Sequence, residues 1–189
     1  MAPVALQGRD GTQAMPLVIP AIAQDGSLYP VEKLDAHRRG LKHLAVSVFV
    51  FAGDELLVQR RAAGKYHCGG LWANTCCTHP HWDETPEACA ARRLREEVGI
   101  ELPLSPRAVV DYRAEVTNGL IENERVHVFE GALPAVVPVT RFDRNEVSEL
   151  RWVRQAVLRR EIARRPQDFT PWLRIYVDRW AELELQAAA

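Results

Sequence analysis

Residues 44–51 read LAVSVFVF, a run of β-branched and aromatic residues with no charge and no breaker, and it can only be a strand of a sheet. Gly53-Asp54 closes it, and Glu55–Arg61 (ELLVQRR) returns as the second arm of a hairpin. Ahead of it, Val18–Ile22 and Leu28–Val31 flank the turn pair Asp25-Gly26. Downstream, residues 108–117 and 120–130 read as strands around Thr-Asn-Gly, and Leu150–Val153 as a last strand. Residues 33–42 are polar and basic. The clearest helix opens at Thr85-Pro86, a cap followed by proline at the first helical position. Ala91, Leu94 and Val98 give it an apolar stripe, and Gly99 stops it. Arg92–Glu96 and Arg93–Glu97 are spaced four apart for ion pairing. Two more helices follow residue 153, the second opening at Thr170-Pro171 with Trp172, Ile175 and Tyr176 on one face. Strands interleaved with helices around a β-rich centre predict an α/β (α+β) fold, a mixed β-sheet sandwiched between helices.

A chain of 189 residues fits one domain, here 18–185, with residues 1–17 as a flexible N-terminal extension. The net charge of −1 gives no bulk attraction to nucleic acid or to an anionic membrane. The six arginines between Arg151 and Arg165 read as a solvated helix face. No apolar run approaches the roughly 20 residues needed to span a bilayer. Met1–Met15 does not have the form of a secretory signal, so a cytoplasmic location is expected. Four cysteines occur, at 68, 76, 77 and 89, with no C-x-x-C pair. Adjacent Cys76 and Cys77 fit a disulfide framework poorly and are better read as thiols, free for metal binding or catalysis.

Almost every chemically interesting side chain lies in the long loop over 62–83 or in the helix after it, and a loop of that length is a functional signal. From Thr78 the spacing is Thr78-x5-Glu84-x7-Arg92-Arg93-Leu94-Arg95-Glu96-Glu97-Val98-Gly99-Ile100. It resembles the Nudix box, G-x5-E-x7-R-E-U-x-E-E-x-G-U with U aliphatic, a loop–helix–loop that presents carboxylates to metals holding a diphosphate. Two positions depart from it: Thr78 replaces the first glycine, and Arg93 replaces a metal-binding glutamate. An arginine there can meet a diphosphate directly.

Three further blocks flank the helix. Residues 71–80 read LWANTCCTHP, 41–45 read LKHLA, and 119–124 read GLIENE. With the Nudix-like helix between the last two, they resemble the signatures of the type 1 isopentenyl diphosphate isomerase family, over roughly residues 29 to 180. The residues themselves agree. Glu122 and Glu124 are two apart in a strand and share a face. Paired carboxylates need a cation or a shared proton. His43, His79 and His37 add imidazole nitrogens, making a six-coordinate nitrogen–oxygen site suited to Mn²⁺, Mg²⁺ or Zn²⁺. His81 reads as an ordinary loop residue.

The resemblance implies the rest. His37, His43, His79, Glu122 and Glu124 form the metal set. Cys77 and Glu124 exchange protons with the substrate from opposite faces, while Cys76 packs. Tyr112 assists proton delivery near Glu124, and the π face of Trp172 stabilises a carbocation. Lys33, Arg61, Lys65 and Arg93 bind the diphosphate, with Arg60 pointing away. Glu97 and the main-chain carbonyl of Cys77 hold a second ion, Mg²⁺, that bridges to the diphosphate. The partner implied is the small molecule isopentenyl diphosphate, and the state a monomer. Two other readings compete: a Nudix hydrolase of a nucleoside diphosphate derivative, which Arg93 argues against, and a zinc-binding interaction module, which predicts closed four-coordinate Cys/His ligation.

Overall fold

A computed structural model describes residues 16–185, so residues 1–15 of the expected extension lie outside the described residues. Leu17 is tied to the fold: its carbonyl accepts the backbone N–H of Lys33 at 2.8 Å. Strands β1 (Val18–Ile22) and β2 (Leu28–Glu32) form the hairpin expected around Asp25-Gly26. Glu32 then caps a helix that the sequence pattern did not reveal, α1 (Lys33–Arg39). Its carboxylate accepts from the N–H groups of Leu34 and Asp35 at 2.9 and 2.8 Å, so two orphan donors of the first turn are satisfied by an anion.

Strand β3 (His43–Ala52) organises the sheet. On one side it runs parallel to β8 (Ile121–Leu133), from His43↔Glu124 to Ala52↔Leu133, and β8 pairs antiparallel with β7 (Ser105–Glu115). On its other side three short partners succeed one another: β1 at His43, β6 (Cys76–Thr78) at Val46–Val48, and β4 (Glu55–Arg61) at Phe51–Ala52. β3 and β4 therefore fork soon after their turn. The Thr75 hydroxyl fills the fork, accepting the Val50 N–H at 2.9 Å and donating to the Leu57 carbonyl at 2.6 Å. Beyond it, β4 pairs with β5 (Trp72–Ala73) and with β9 (Val147–Arg154). The segment expected as one long loop over 62–83 thus lends two short strands to the sheet.

Alternate residues of β3 enter two separate cores, as a strand covered on both faces requires. Val46, Val48 and Val50 pack with Cys76, Leu94 and Val98. Ala45, Phe49 and Phe51 pack with Leu158, Trp172, Leu173 and Tyr176. Helix α2 (Pro86–Arg93) covers the first core; α3 (Gln155–Arg164) and α4 (Pro171–Asp178) cover the second. This is the expected mixed sheet between helices.

Thr85 and Pro86 start α2 as the spacing predicts, the Thr85 hydroxyl accepting the Ala88 N–H at 3.3 Å. The apolar stripe differs from the expectation. Ala91 is exposed, and the buried face runs Cys89, Ala90, Leu94, Glu97, Val98. Ala90, Leu94 and Val98 follow one another at four-residue steps, and Leu94–Val98 is wound as a π turn, so Ala91 falls beside the core face. Gly99 ends the helix at φ +73°, and a Cβ there would sit 2.0 Å from the Arg141 carbonyl oxygen, so both conformation and space demand glycine.

Candidate active site and metal centre

Strand register puts the key side chains on one face of the sheet. His43 pairs with Glu124, Glu124 with Tyr112, and Ser47 with Cys77. His43 and Ser47 lie four apart on β3, so all five side chains leave the same face. Cys77 and Glu124 come from strands on opposite sides of β3, two interstrand spacings (roughly 10 Å) apart across the sheet and four residues apart along it. Between them and the ends of α1 and α4 lies a cleft, open at its mouth and lined by Lys33, Tyr66, Cys77, Glu124 and Trp172.

The expected metal residues converge at its base. His37, His43, His79, Glu122 and Glu124 are all buried, and their ligand atoms lie within 4.8 Å of one another. His37 Nδ1 donates to the Lys33 carbonyl at 2.6 Å, and His43 Nδ1 to the Leu41 carbonyl at 2.8 Å. Those bonds leave the Nε2 lone pairs facing inward. There they meet acceptors: His37 Nε2 is 3.0 Å from Glu122 Oε2, His43 Nε2 is 3.2 Å from His79 Nε2, and His79 Nε2 is 2.9 Å from Glu124 Oε1. Among the described residues, neither His37 Nε2 nor Glu122 Oε2 has a hydrogen-bond partner of good geometry. Two buried carboxylates among lone pairs are strongly unfavourable unless a cation sits among them. The donor set fits a divalent ion of nitrogen–oxygen preference.

Cys76 is fully buried in the core, as expected, while Cys77 opens on the cleft. The Cys77 thiol donates to Asn74 Oδ1 at 2.7 Å. That amide cannot turn, because its nitrogen is committed to the carbonyls of Val48 and Cys76. Ser47 Oγ lies 3.2 Å from the sulfur and 2.8 Å from the Tyr176 hydroxyl. Burial pushes the Cys77 thiol up to about 12. For Glu124, burial is outweighed by the neighbouring His43 imidazole and by the hydrogen bond from Tyr112, and its carboxyl is held below the usual range. Burial also drives His79 well below the ordinary imidazole value and Tyr112 well above the ordinary phenol value.

The four expected diphosphate contacts, Lys33, Arg61, Lys65 and Arg93, all line the cleft. Arg60 points outward and binds the Gly70 carbonyl, as strand alternation predicts. Arg61 is buried, with its guanidinium 5.3 Å from the centre of the Trp172 ring. Glu97 is buried beside Arg93, whose Nη2 reaches it at 2.5 Å. Burial lowers the Lys33 ammonium to about 8; the Glu122 charge opposes the shift, and Arg61, Lys65 and Arg93 add to it.

Tyr66, Glu146 and His67 line the cleft and escaped the sequence reading, and the last two make ionic contacts there. Glu146 forms ion pairs with both Lys65 and Arg93. His67 Nε2 sits 3.2 Å from Glu122 Oε1. Neither belongs to a motif block, and each meets its partner only through the fold. His81 is exposed and donates its backbone N–H to Glu84, in keeping with a loop role.

The fold and this site define a Nudix protein: the NUDIX domain model matches residues 41–173. Among solved structures the fold is shared by DR0079 of Deinococcus radiodurans, at TM-score 0.69 and 18% identity over 86% of this chain and 98% of that one. A MutT protein of Methanosarcina mazei Go1 also shares it, at TM-score 0.57 and 20% identity over 74% and 93%. Sequence relatives are closer. The isopentenyl-diphosphate Delta-isomerase of Cereibacter sphaeroides (strain ATCC 17025 / ATH 2.4.3) is 57% identical over 86% of this chain and 92% of its own. That of Dinoroseobacter shibae is 55% identical over 84% and 90%, and that of Rhodobacter capsulatus 51% over 88% and 94%. The chain belongs to the isopentenyl-diphosphate Delta-isomerase family.

Proposed function

We propose that residues 18–185 act as one enzyme unit that interconverts isopentenyl diphosphate and dimethylallyl diphosphate in isoprenoid biosynthesis. The carrying observation is that Cys77 and Glu124 open on one cleft from strands on either side of β3, beneath four cationic side chains. An unactivated alkene is a poor base, so moving its double bond takes a placed acid on one side and a placed base on the other. In one direction the Cys77 S–H proton goes to the terminal carbon of the alkene, leaving a tertiary cation. A Glu124 oxygen then takes a proton from the carbon on the diphosphate side, and the C–H electron pair becomes the new double bond. In the reverse direction the two residues exchange roles.

Other side chains support that path. Tyr112 donates to Glu124 Oε2 at 2.5 Å and can pass a proton there. Trp172 offers its π face to the cation. Lys33, Arg61, Lys65 and Arg93 counter the diphosphate, which must displace Glu146 from Lys65 and Arg93 to reach them. His37, His43, His79, Glu122 and Glu124 would hold Mn²⁺, Mg²⁺ or Zn²⁺, and Glu97 with the Cys77 carbonyl would hold a second Mg²⁺. When bound, such ions would offset the buried carboxylate charge, tune the acidity of Glu124 and add counter-charge for the diphosphate. No helix among the described residues is long and apolar enough to cross a membrane. We read the chain as a cytoplasmic monomer whose partner is its small-molecule substrate, with no role for nucleic acid or membrane.

The test is hydrogen exchange into isopentenyl diphosphate in D₂O with Mg²⁺, for the wild type, Cys77→Ala and Glu124→Gln. Dimethylallyl diphosphate and deuterated substrate are expected from the wild type alone. Unchanged exchange in either variant removes that residue from the proton path. Release of AMP from ADP-ribose, without isomerisation, would make the chain a hydrolase.

A further inference from the structure

The four site ligands His37, His43, Glu122 and Glu124 follow one rule. Each is held from outside the cluster by one atom while its other polar atom faces in. His37 and His43 are held through Nδ1 by backbone carbonyls. Glu124 is held through Oε2 by the Tyr112 hydroxyl, leaving Oε1 toward His79. Glu122 has Oε2 turned inward, 3.0 Å from His37 Nε2 and 3.9 Å from His43 Nε2. Its Oε1 faces His67 Nε2 at 3.2 Å. His67 thus stands to Glu122 as Tyr112 stands to Glu124.

We infer that His67 is a positioning residue of the metal centre, whose Nε2–H donates to Glu122 Oε1 and so fixes which carboxylate oxygen faces the ion. The inference rests on the reading of the His/Glu cluster as a divalent-metal site. A carboxylate free to rotate would present either oxygen or neither. One pinned through a single oxygen presents the other in a fixed direction, and such outer partners strengthen a metal site by orienting its ligands.

The local structure is built to hold this ring. His67 is 4% exposed. The Tyr66 ring meets it edge-on at 4.4 Å and Trp172 at 5.8 Å. Its backbone is fixed on both sides: Arg61 Nη2 donates to the His67 carbonyl at 3.3 Å, and the Cys68 N–H donates to Thr117 Oγ1 at 2.9 Å. Cys68 adopts φ +51°, a left-handed conformation uncommon outside glycine, to make that turn. His67 stands outside the set of five residues whose ligand atoms lie within 4.8 Å of one another. Among the described residues, the polar contact of its ring is with the outer oxygen of Glu122, a position for orienting a ligand.

The experiment titrates Co²⁺ into metal-free full-length wild type, His67→Ala and His67→Gln in competition with a chromophoric chelator, and records the visible ligand-field spectrum. Glutamine keeps an N–H donor on a flexible stem. His67→Ala is expected to weaken Co²⁺ binding by roughly 10–100-fold. His67→Gln should recover most of that loss with an unchanged ligand-field spectrum. Unchanged affinity in His67→Ala overturns the inference. So does a spectrum altered in His67→Gln, which would make His67 a ligand. If His67→Ala does not fold, His67→Gln alone decides: near-wild-type affinity and spectrum support the inference, and a full loss overturns it. Failure of the wild type to bind Co²⁺ would instead remove the metal reading itself.

Discussion

The Tyr112 hydroxyl donates to Glu124 Oε2 at 2.5 Å, and the two residues are directly paired across β7 and β8. Register creates this contact: a one-residue slip of β7 would turn the phenol to the other face of the sheet. Tyr112→Phe keeps the packing and removes one charge-assisted hydrogen bond, of about 1.5–3 kcal/mol. Expressed in the transition state, that is a fall in kcat of about 10–100-fold, with KM little changed. Steady-state kinetics on isopentenyl diphosphate checks it. A variant that loses affinity but not turnover would place Tyr112 in binding only.

A thiol that gives a proton must first carry one. Burial raises Cys77 to about 12, so at pH 8 the thiol form dominates, and the thiolate is the reactive form. Alkylation of Cys77 by iodoacetamide, followed by peptide mass mapping, should be slow at pH 8 and rise about tenfold per pH unit until the protein unfolds. Rapid labelling at pH 7 would show a standing thiolate and would remove Cys77 as proton donor.

How much of this site was legible in sequence depends on distance along the chain. Four of the five cluster residues and Cys77 sit in compact blocks whose internal spacing carries the signal: two glutamates one strand period apart, and a thiol two positions before a histidine; His37 lies outside the blocks, six positions before His43. His67 and Glu146 carry no such spacing. Their partners lie 55 and 81 positions away, and only the fold brings them together. Helix α1 was hidden for a different reason. It has seven residues, too few to display an apolar period, and its cap is a glutamate rather than the usual serine, threonine, aspartate or asparagine. Strands β5 and β6 have two and three residues, below the length at which alternation can be read.

Lys33 gives the activity an alkaline limb. Burial lowers its ammonium to about 8, so it is charged below that pH and neutral above it. Diphosphate binding draws on the charged form. The contribution is therefore complete in acid and lost as pH rises through about 8. The limb belongs in kcat/KM, which reports free enzyme, more than in kcat, because bound diphosphate holds the proton on Lys33. Lys33→Arg keeps a charge at every accessible pH and should remove the limb. A pH profile that keeps the same descent in Lys33→Arg would assign it to another group.

The fork between β3 and β4 depends on Thr75, and so does the placing of Cys77 two residues on. Its hydroxyl takes the Val50 N–H and gives to the Leu57 carbonyl, both in the buried interior, where neither group has water to turn to. Gln59 braces the same turn from the other side, its Nε2 donating to the Thr75 carbonyl at 3.0 Å. Thr75→Val matches the shape of the side chain but strands one donor and one acceptor, at about 1–3 kcal/mol each. Together that is about 2–6 kcal/mol, or a fall in melting temperature of about 4–24 °C for a chain of this size. Thr75→Ser keeps both bonds and loses only a methyl, so it should melt near the wild type. The two variants should also part in activity: β6 pairs with β3 at Ser47↔Cys77, and a fork that closes or shifts carries the thiol out of line with Asn74. Thermal melts with turnover measured well below the transition separate the effects. A Thr75→Val protein as stable and as active as wild type would mean that the strands part for some reason other than this hydroxyl.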